Sequence, residues 1–186
     1  MTKVLVAIAD GSEEMEATII IDVLRRADID VSVASVMPER KITASRGVQI
    51  TADCHIEYCQ NRPWDMVVLP GGMPGAEHLA ASKALRDIIA DQLASRRWLA
   101  AICAAPAVVL AAQGLIKNFS ATCYPAFRAL LEEHGVHAVE EPVAIYKELI
   151  TSQGPGTAMA FALKLVELLK GEVQASAIAQ AMCFQR

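Results

Sequence analysis

The stretch that decides the fold is Trp98-Leu99-Ala100-Ala101-Ile102-Cys103-Ala104-Ala105-Pro106. Its first five residues form an apolar run with no face left for water, as in a strand buried on both sides. A helical pattern over 106–113 follows directly. Cys103 therefore falls at a strand-to-helix corner. Outward from this stretch, short runs rich in Val, Ile and Leu recur at 4–9, 31–36 and 66–69, with a weaker one at 120–123. Helical patterns over 13–27, 79–96 and 125–133 lie between them. Apolar strands alternating with helices predict an α/β fold, a mostly parallel sheet with helices on both faces. Segments 42–53 and 143–151 read as small antiparallel additions. A late helix over 157–170 is apolar nearly all round and ends at Gly171, so it is either central or buried by a second subunit.

The chain has 186 residues, 54% of them apolar and 20% charged, enough for one sizeable core. No repeat, low-complexity tract or linker divides it, so residues 1–186 read as a single domain. Seventeen Lys and Arg against 21 Asp and Glu give a net charge of -4. That balance lacks the basic stripe a nucleic-acid binder needs and gives no grip on an anionic membrane. Apolar stretches fall well short of the roughly 20 residues of a membrane span, and the N-terminal segment turns acidic where a signal peptide would be cleaved. A cytoplasmic protein is expected. The five cysteines form no CxxC pair and have no zinc-site spacing, so neither a disulfide framework nor a metal site is expected.

Ligands of open α/β sheets bind beyond the carboxyl ends of the strands. Here those ends are Asp10 to Glu16, Pro70-Gly71-Gly72, Cys103 to Pro106, Tyr124-Pro125 and Thr151 to Thr157. At its corner Cys103 has the setting of a nucleophile elbow, with alanines in place of the flanking glycines. Nearby N–H groups and the helix dipole are expected to lower its pKa and make it reactive; the competing reading is a buried, inert thiol. Cys54, Cys59 and Cys183 read as inert. Ser12 is the expected N-cap of the first helix, with Glu13 and Glu14 in its first turn. Glu16 has Ile19, Ile20, Val23 and Leu24 as helical neighbours and so faces the core, where burial raises a carboxyl pKa toward neutrality. An ion pair with Arg25, Arg26 or Arg46 is its competing explanation. Gly71, Gly72 and Ala104 offer backbone N–H groups for an oxyanion hole, although a Gly-Gly pair alone is commonly a tight turn. No phosphate-binding glycine motif occurs. Of four histidines only His78 lies near these ends, where it reads as a surface residue at the start of the 79–96 helix, and a Cys-His dyad cannot be built.

Together, Gly11 to Ala17, Ser45-Arg46-Gly47, Val68 to Gly72, Ala100 to Pro106 and Thr151 to Thr157 resemble the ThiJ/PfpI (DJ-one) family across nearly the whole chain. The resemblance implies a flavodoxin-like three-layer sandwich and a homodimer. It also implies a reactive, oxidation-sensitive cysteine at Cys103 beside a protonated glutamate at Glu16. Where many relatives carry a histidine, this sequence has Tyr124, which is expected to be a pocket wall rather than a base. The protease branch carries His after its cysteine; Ala104 stands there and disfavours peptidase activity, and the missing phosphate loop disfavours a kinase. The substrate class implied is methylglyoxal-type dicarbonyls or their early protein adducts, turned over without metal, organic cofactor or glutathione. The alternative is a redox-responsive stress protein or chaperone signalling through oxidation of Cys103.

Overall fold

The computed structural model describes residues 1–185. In chain order the elements are β1 (Lys3–Ile8), α1 (Glu14–Arg26), β2 (Asp30–Ser35), β3 (Lys41–Thr43), β4 (Gln49–Thr51), β5 (Cys54–His55) and β6 (Met66–Leu69). They continue with α2 (Gly75–Ala81), α3 (Lys83–Ala94), β7 (Trp98–Ile102), β8 (Ser120–Ala121), α4 (Arg128–Glu133) and β9 (His137–Ala138). The chain closes with β10 (Val143–Tyr146), β11 (Leu149–Ser152), α5 (Ala158–Lys170) and α6 (Glu172–Ala181).

Seven strands form the central sheet in the order β10-β11-β7-β6-β1-β2-β5, all parallel except β10. Alternation along β1 divides the core. Val4, Val6 and Ile8 pack with residues of α1 and α5 on one face, whereas Leu5 and Ala7 pack with residues of α2 and α3 on the other. Both sets are fully buried, which is why β1 shows no polar face in the sequence. The predicted three-layer α/β architecture, flavodoxin-like in its doubly covered sheet, is the one observed.

Several local expectations change. The helical pattern over 79–96 is two helices, because Ser82 interrupts it and its hydroxyl caps α3 by accepting the Leu85 N–H at 3.2 Å. Strand β8 lies outside the central sheet and pairs with β9. The 143–151 segment is an antiparallel hairpin as expected, but its second strand also pairs with β7 and extends the central sheet beside Cys103. The late helix α5 packs against α1 and α6 within one chain, which accounts for its apolar circumference without a second subunit.

Candidate active site

Cys103 sits immediately after β7 with φ +65, a left-handed conformation that costs a non-glycine residue on the order of 1 kcal/mol. Neighbours on both sides hold it there. Its N–H donates to the Ser152 carbonyl at 3.0 Å, and its carbonyl accepts the Tyr124 N–H at 2.8 Å. A Cβ on Gly71 would lie 2.5 Å from the Cys103 Cβ, so only glycine lets the β6 turn approach the elbow. Beyond the corner, Pro106–Ala111 adopts wide π-type turns, with the Ala112 N–H reaching the Ala107 carbonyl at 2.9 Å. Such turns concentrate at functional sites. The elbow expected from the sequence is therefore present.

Glu16 lies in the first turn of α1 and is completely buried. The N-cap of this helix is Glu13, not Ser12: a carboxylate oxygen of Glu13 accepts the Glu16 N–H at 2.8 Å, while the Ser12 hydroxyl turns back to accept the Ala9 N–H at 2.9 Å. Glu16 Oε2 accepts the Gly71 N–H at 2.8 Å. Its other oxygen, Oε1, has no partner in full hydrogen-bond alignment, yet Glu16 and the Cys103 thiol are close enough to shift each other's titration. The ion-pair alternative fails: Arg25 pairs with Asp53 and Arg26 with Asp22, and Arg46 is exposed whereas Glu16 is fully buried. Glu14, read from the sequence as a first-turn carboxylate suited to the helix dipole, is buried and accepts from the Ser45 hydroxyl and the Arg46 N–H at 2.7 Å each. Burial pushes its carboxyl up, but its own backbone N–H, these two donors and the Val48 backbone together outweigh burial and hold it below the ordinary value. It fastens the 45–47 loop beside the site; nothing in its helical position foretold that.

Burial raises Glu16 to about 7, with the Glu13 charge adding to the rise and the Gly71 N–H and Cys103 opposing it. Cys103 moves against the sequence expectation, up to about 12. Burial of a thiol only 8% exposed comes first and the Glu16 charge second; the N–H groups of Gly72 and Ala104 pull the other way and lose. The two groups titrate as a pair. Near neutrality the pair gives up one proton, from Glu16, and keeps the other on sulfur, where burial and the Glu16 charge hold it. Fewer N–H groups are free for the expected oxyanion hole than the sequence offered. Gly71 spends its N–H on Glu16, leaving Gly72 and Ala104 to face the sulfur.

Tyr124 is 44% exposed, and its ring lies 3.3 Å from the space a Cβ on Gly154 would fill. That brings the Thr151 to Thr157 turn to the same edge of the sheet. His78 is half-buried on α2 rather than at a helix start on the surface. Among the other cysteines, Cys183 is exposed, contrary to its reading as a buried thiol, while Cys59 and Cys123 are buried and Cys54 is half-buried. A separate cleft lined by Gln60, Arg62, Asp87, Asp91 and Arg97 holds an exposed ion pair and no nucleophile, so chemistry rather than concavity marks the site at Cys103. Among the described residues no cluster of three His, Cys, Asp or Glu is placed to hold a metal, and no helix is long and apolar enough to cross a membrane.

A family model described as the DJ-1/PfpI family matches residues 2–168. Protein DJ-1 homolog B of Arabidopsis thaliana is 41% identical over 179 residues, which make up 96% of this chain and 40% of that protein. The chain thus spans less than half of that relative's length. The Caenorhabditis elegans glutathione-independent glyoxalase DJR-1.2 is 32% identical over 177 residues, 95% of this chain and 93% of the relative. The solved structure of oxidized Toxoplasma gondii DJ-1 is 41% identical, superposes with a TM-score of 0.96, and is matched over 100% of both chains. A buried glutamate, a glycine turn and a strained cysteine elbow thus sit within the stretch that the family model matches, and the chain belongs to the DJ-1/PfpI family.

Proposed function

We propose that this protein is a cysteine-dependent, cofactor-free glyoxalase and deglycase, acting on methylglyoxal-type dicarbonyls or their early protein adducts. The observation that carries the proposal is the Glu16–Cys103 pair, a nucleophile and a proton carrier buried together with one labile proton near neutrality. A relative 32% identical carries the name glutathione-independent glyoxalase, which supports the substrate class.

In the singly ionised pair, Cys103 Sγ adds to the aldehyde carbon as its proton passes to Glu16. The carbonyl oxygen takes negative charge beside the Gly72 and Ala104 N–H groups and is then protonated by Glu16, giving a hemithioacetal. Glu16, again a carboxylate, removes hydrogen from that carbon and returns it to the neighbouring one, while a proton moves between the two oxygens. The product is a thioester of a 2-hydroxy acid. Water cleaves the C–S bond and restores the thiol. One methylglyoxal and one water give one lactate, with no net oxidation or reduction.

The test is lactate formation from methylglyoxal without glutathione. Cys103→Ser should lose at least roughly a hundredfold, because a hydroxyl is far less acidic than a thiol and no histidine assists it. If the variant consumes methylglyoxal as fast as wild type and neither makes lactate, lysines and arginines are merely scavenging it and the enzyme proposal is overturned. In that event the second reading stands: a redox-responsive stress protein or chaperone whose signal is oxidised Cys103. The same N–H groups of Gly72 and Ala104 would receive sulfinate oxygens, and a relative's structure carries the description oxidized.

A further inference from the structure

Cys54 and Cys59 lie on the opposite edge of the sheet from β10 and play no part in the chemistry at Cys103. Cys54 belongs to β5, the two-residue edge strand that pairs with Ala34 and Ser35 of β2. The chain then makes one 3-10 turn over Ile56–Cys59. That turn folds Cys59 back until the two sulfurs are 3.6 Å apart, within hydrogen-bond reach of each other. No sequence motif announced the pair, because four residues separate the cysteines and proximity depends on the tight turn. Cys54 is half-buried and Cys59 is 1% exposed.

We infer that Cys54 and Cys59 form a second redox site, a dithiol that hydroperoxides convert to an intramolecular disulfide and thiol reductants restore. The two sulfurs divide the work by environment. Burial first, and the hydrogen bond with Cys54 second, push Cys59 up to about 12, so Cys59 holds its own proton firmly. Cys54 is the more exposed residue of the two. It attacks the peroxide, the O–O bond breaks, and Cys54 becomes a sulfenic acid while water leaves. Cys59 Sγ then attacks Cys54 Sγ, displacing hydroxide, which departs as a second water with the Cys59 proton. Two thiols and one hydrogen peroxide give one disulfide and two waters. The positive charge of Arg62 favours the ionised form of Cys59 and so assists this second step.

Geometry favours a bridge over a metal. The sulfurs must close from 3.6 Å to the S–S bond length of about 2.05 Å, a movement asked of a short edge strand and a single turn. No third His, Cys, Asp or Glu joins them in a cluster suited to a metal among the described residues. The site carries its own reporter. The indole N–H of buried Trp64 donates to the Cys59 carbonyl at 3.0 Å, so a bridge at Cys59 disturbs a tryptophan directly.

The experiment treats the full chain with graded hydrogen peroxide, then alkylates it and maps peptides by mass. The expected result is loss of the Cys54 and Cys59 thiols, a 54–59 linkage lighter by two hydrogen atoms and quenched Trp64 emission, with these three signals recovered by a thiol reductant whatever the state of Cys103. Cys59→Ser should form no bridge and instead leave a Cys54 sulfenic acid that a cyclic dione captures. The proposal is overturned if both thiols stay alkylatable at peroxide levels that fully oxidise Cys103. It is equally overturned if wild-type Cys54 proceeds to sulfinate while Cys59 remains a thiol, or if the disulfide found joins two chains. The wild-type peptide map decides the matter even where a variant fails to fold.

Discussion

At the scale of single residues, Glu16 sets stability against function. Its pKa rises from 4.5 to about 7 on folding, so the folded protein binds more protons than the unfolded chain between those values. The associated stability is fully present below about pH 4.5 and is lost as pH rises to about 7, a difference of about 3 kcal/mol for this fully buried group. Glu16→Gln should remove that slope. Thermal unfolding should show the variant gaining on wild type as pH rises from 5 to 8; a constant difference across that range would contradict the assignment. The same substitution should abolish turnover, whose kcat/KM in wild type should rise with an apparent pKa of about 7. Tyr124→Phe should keep most turnover, because the residue is expected to act as a pocket wall and the proposed mechanism gives its hydroxyl no step. Equal loss in both variants would move the proton carrier to Tyr124. Cys103 and Glu16 were legible because a corner residue and an isolated carboxylate on an apolar helical stripe are sequence patterns. The direction of the Cys103 shift was not, since it depends on burial depth and on a partner 87 positions away in the chain.

At the scale of elements, the bounds of β6 and β7 follow from the sequence to the residue. Each apolar run is closed by a charged neighbour before it, Asp65 or Arg97, and a corner residue after it, Pro70 or Cys103. Where polar and apolar residues keep one period across a break, as at Ser82, or where pairing partners are distant, as for β5, β8 and β11, no local pattern marks the outcome. Helix α6 went unread because its ten residues carry little amphipathic pattern. The turn from β1 into α1 shows how two adjacent polar residues exchange expected roles. Ser12 is fully buried and its hydroxyl satisfies the Ala9 N–H, whereas Glu13 caps the helix. Ser12→Ala should therefore cost about 1–3 kcal/mol by orphaning a buried N–H, and Glu13→Ala about 1 kcal/mol by uncapping α1. Denaturant titration of both variants checks this. A neutral Glu13→Ala would return the cap to Ser12.

At the scale of the whole molecule, the resemblance that implied a homodimer remains, but the physical ground for it shifts. Helix α5 is covered by α1 and α6, so its apolar circumference no longer asks for a partner. A different feature suits one. Met15 is 52% exposed on α1 and Val48 is 48% exposed in the β3–β4 connection, and the buried Glu14 carboxylate draws the two segments together through Ser45 and Arg46. Two exposed apolar side chains flanking the first turn of the helix that carries Glu16 are the kind of surface a second copy covers in an isologous contact. Light scattering at micromolar concentration should therefore give twice the 20.0 kDa chain mass. Met15→Lys with Val48→Asp should shift the population to monomer while leaving the far-UV circular dichroism unchanged. A wild-type mass of 20.0 kDa would overturn the dimer, and a double variant that stays dimeric would place the interface on another face. Because Met15 and Glu16 are adjacent on one helical turn, a dimer through this surface also predicts that the monomeric variant loses turnover along with mass. Glyoxalase rates measured across a dilution series, falling in step with the dimer fraction, would tie the assembly to the chemistry.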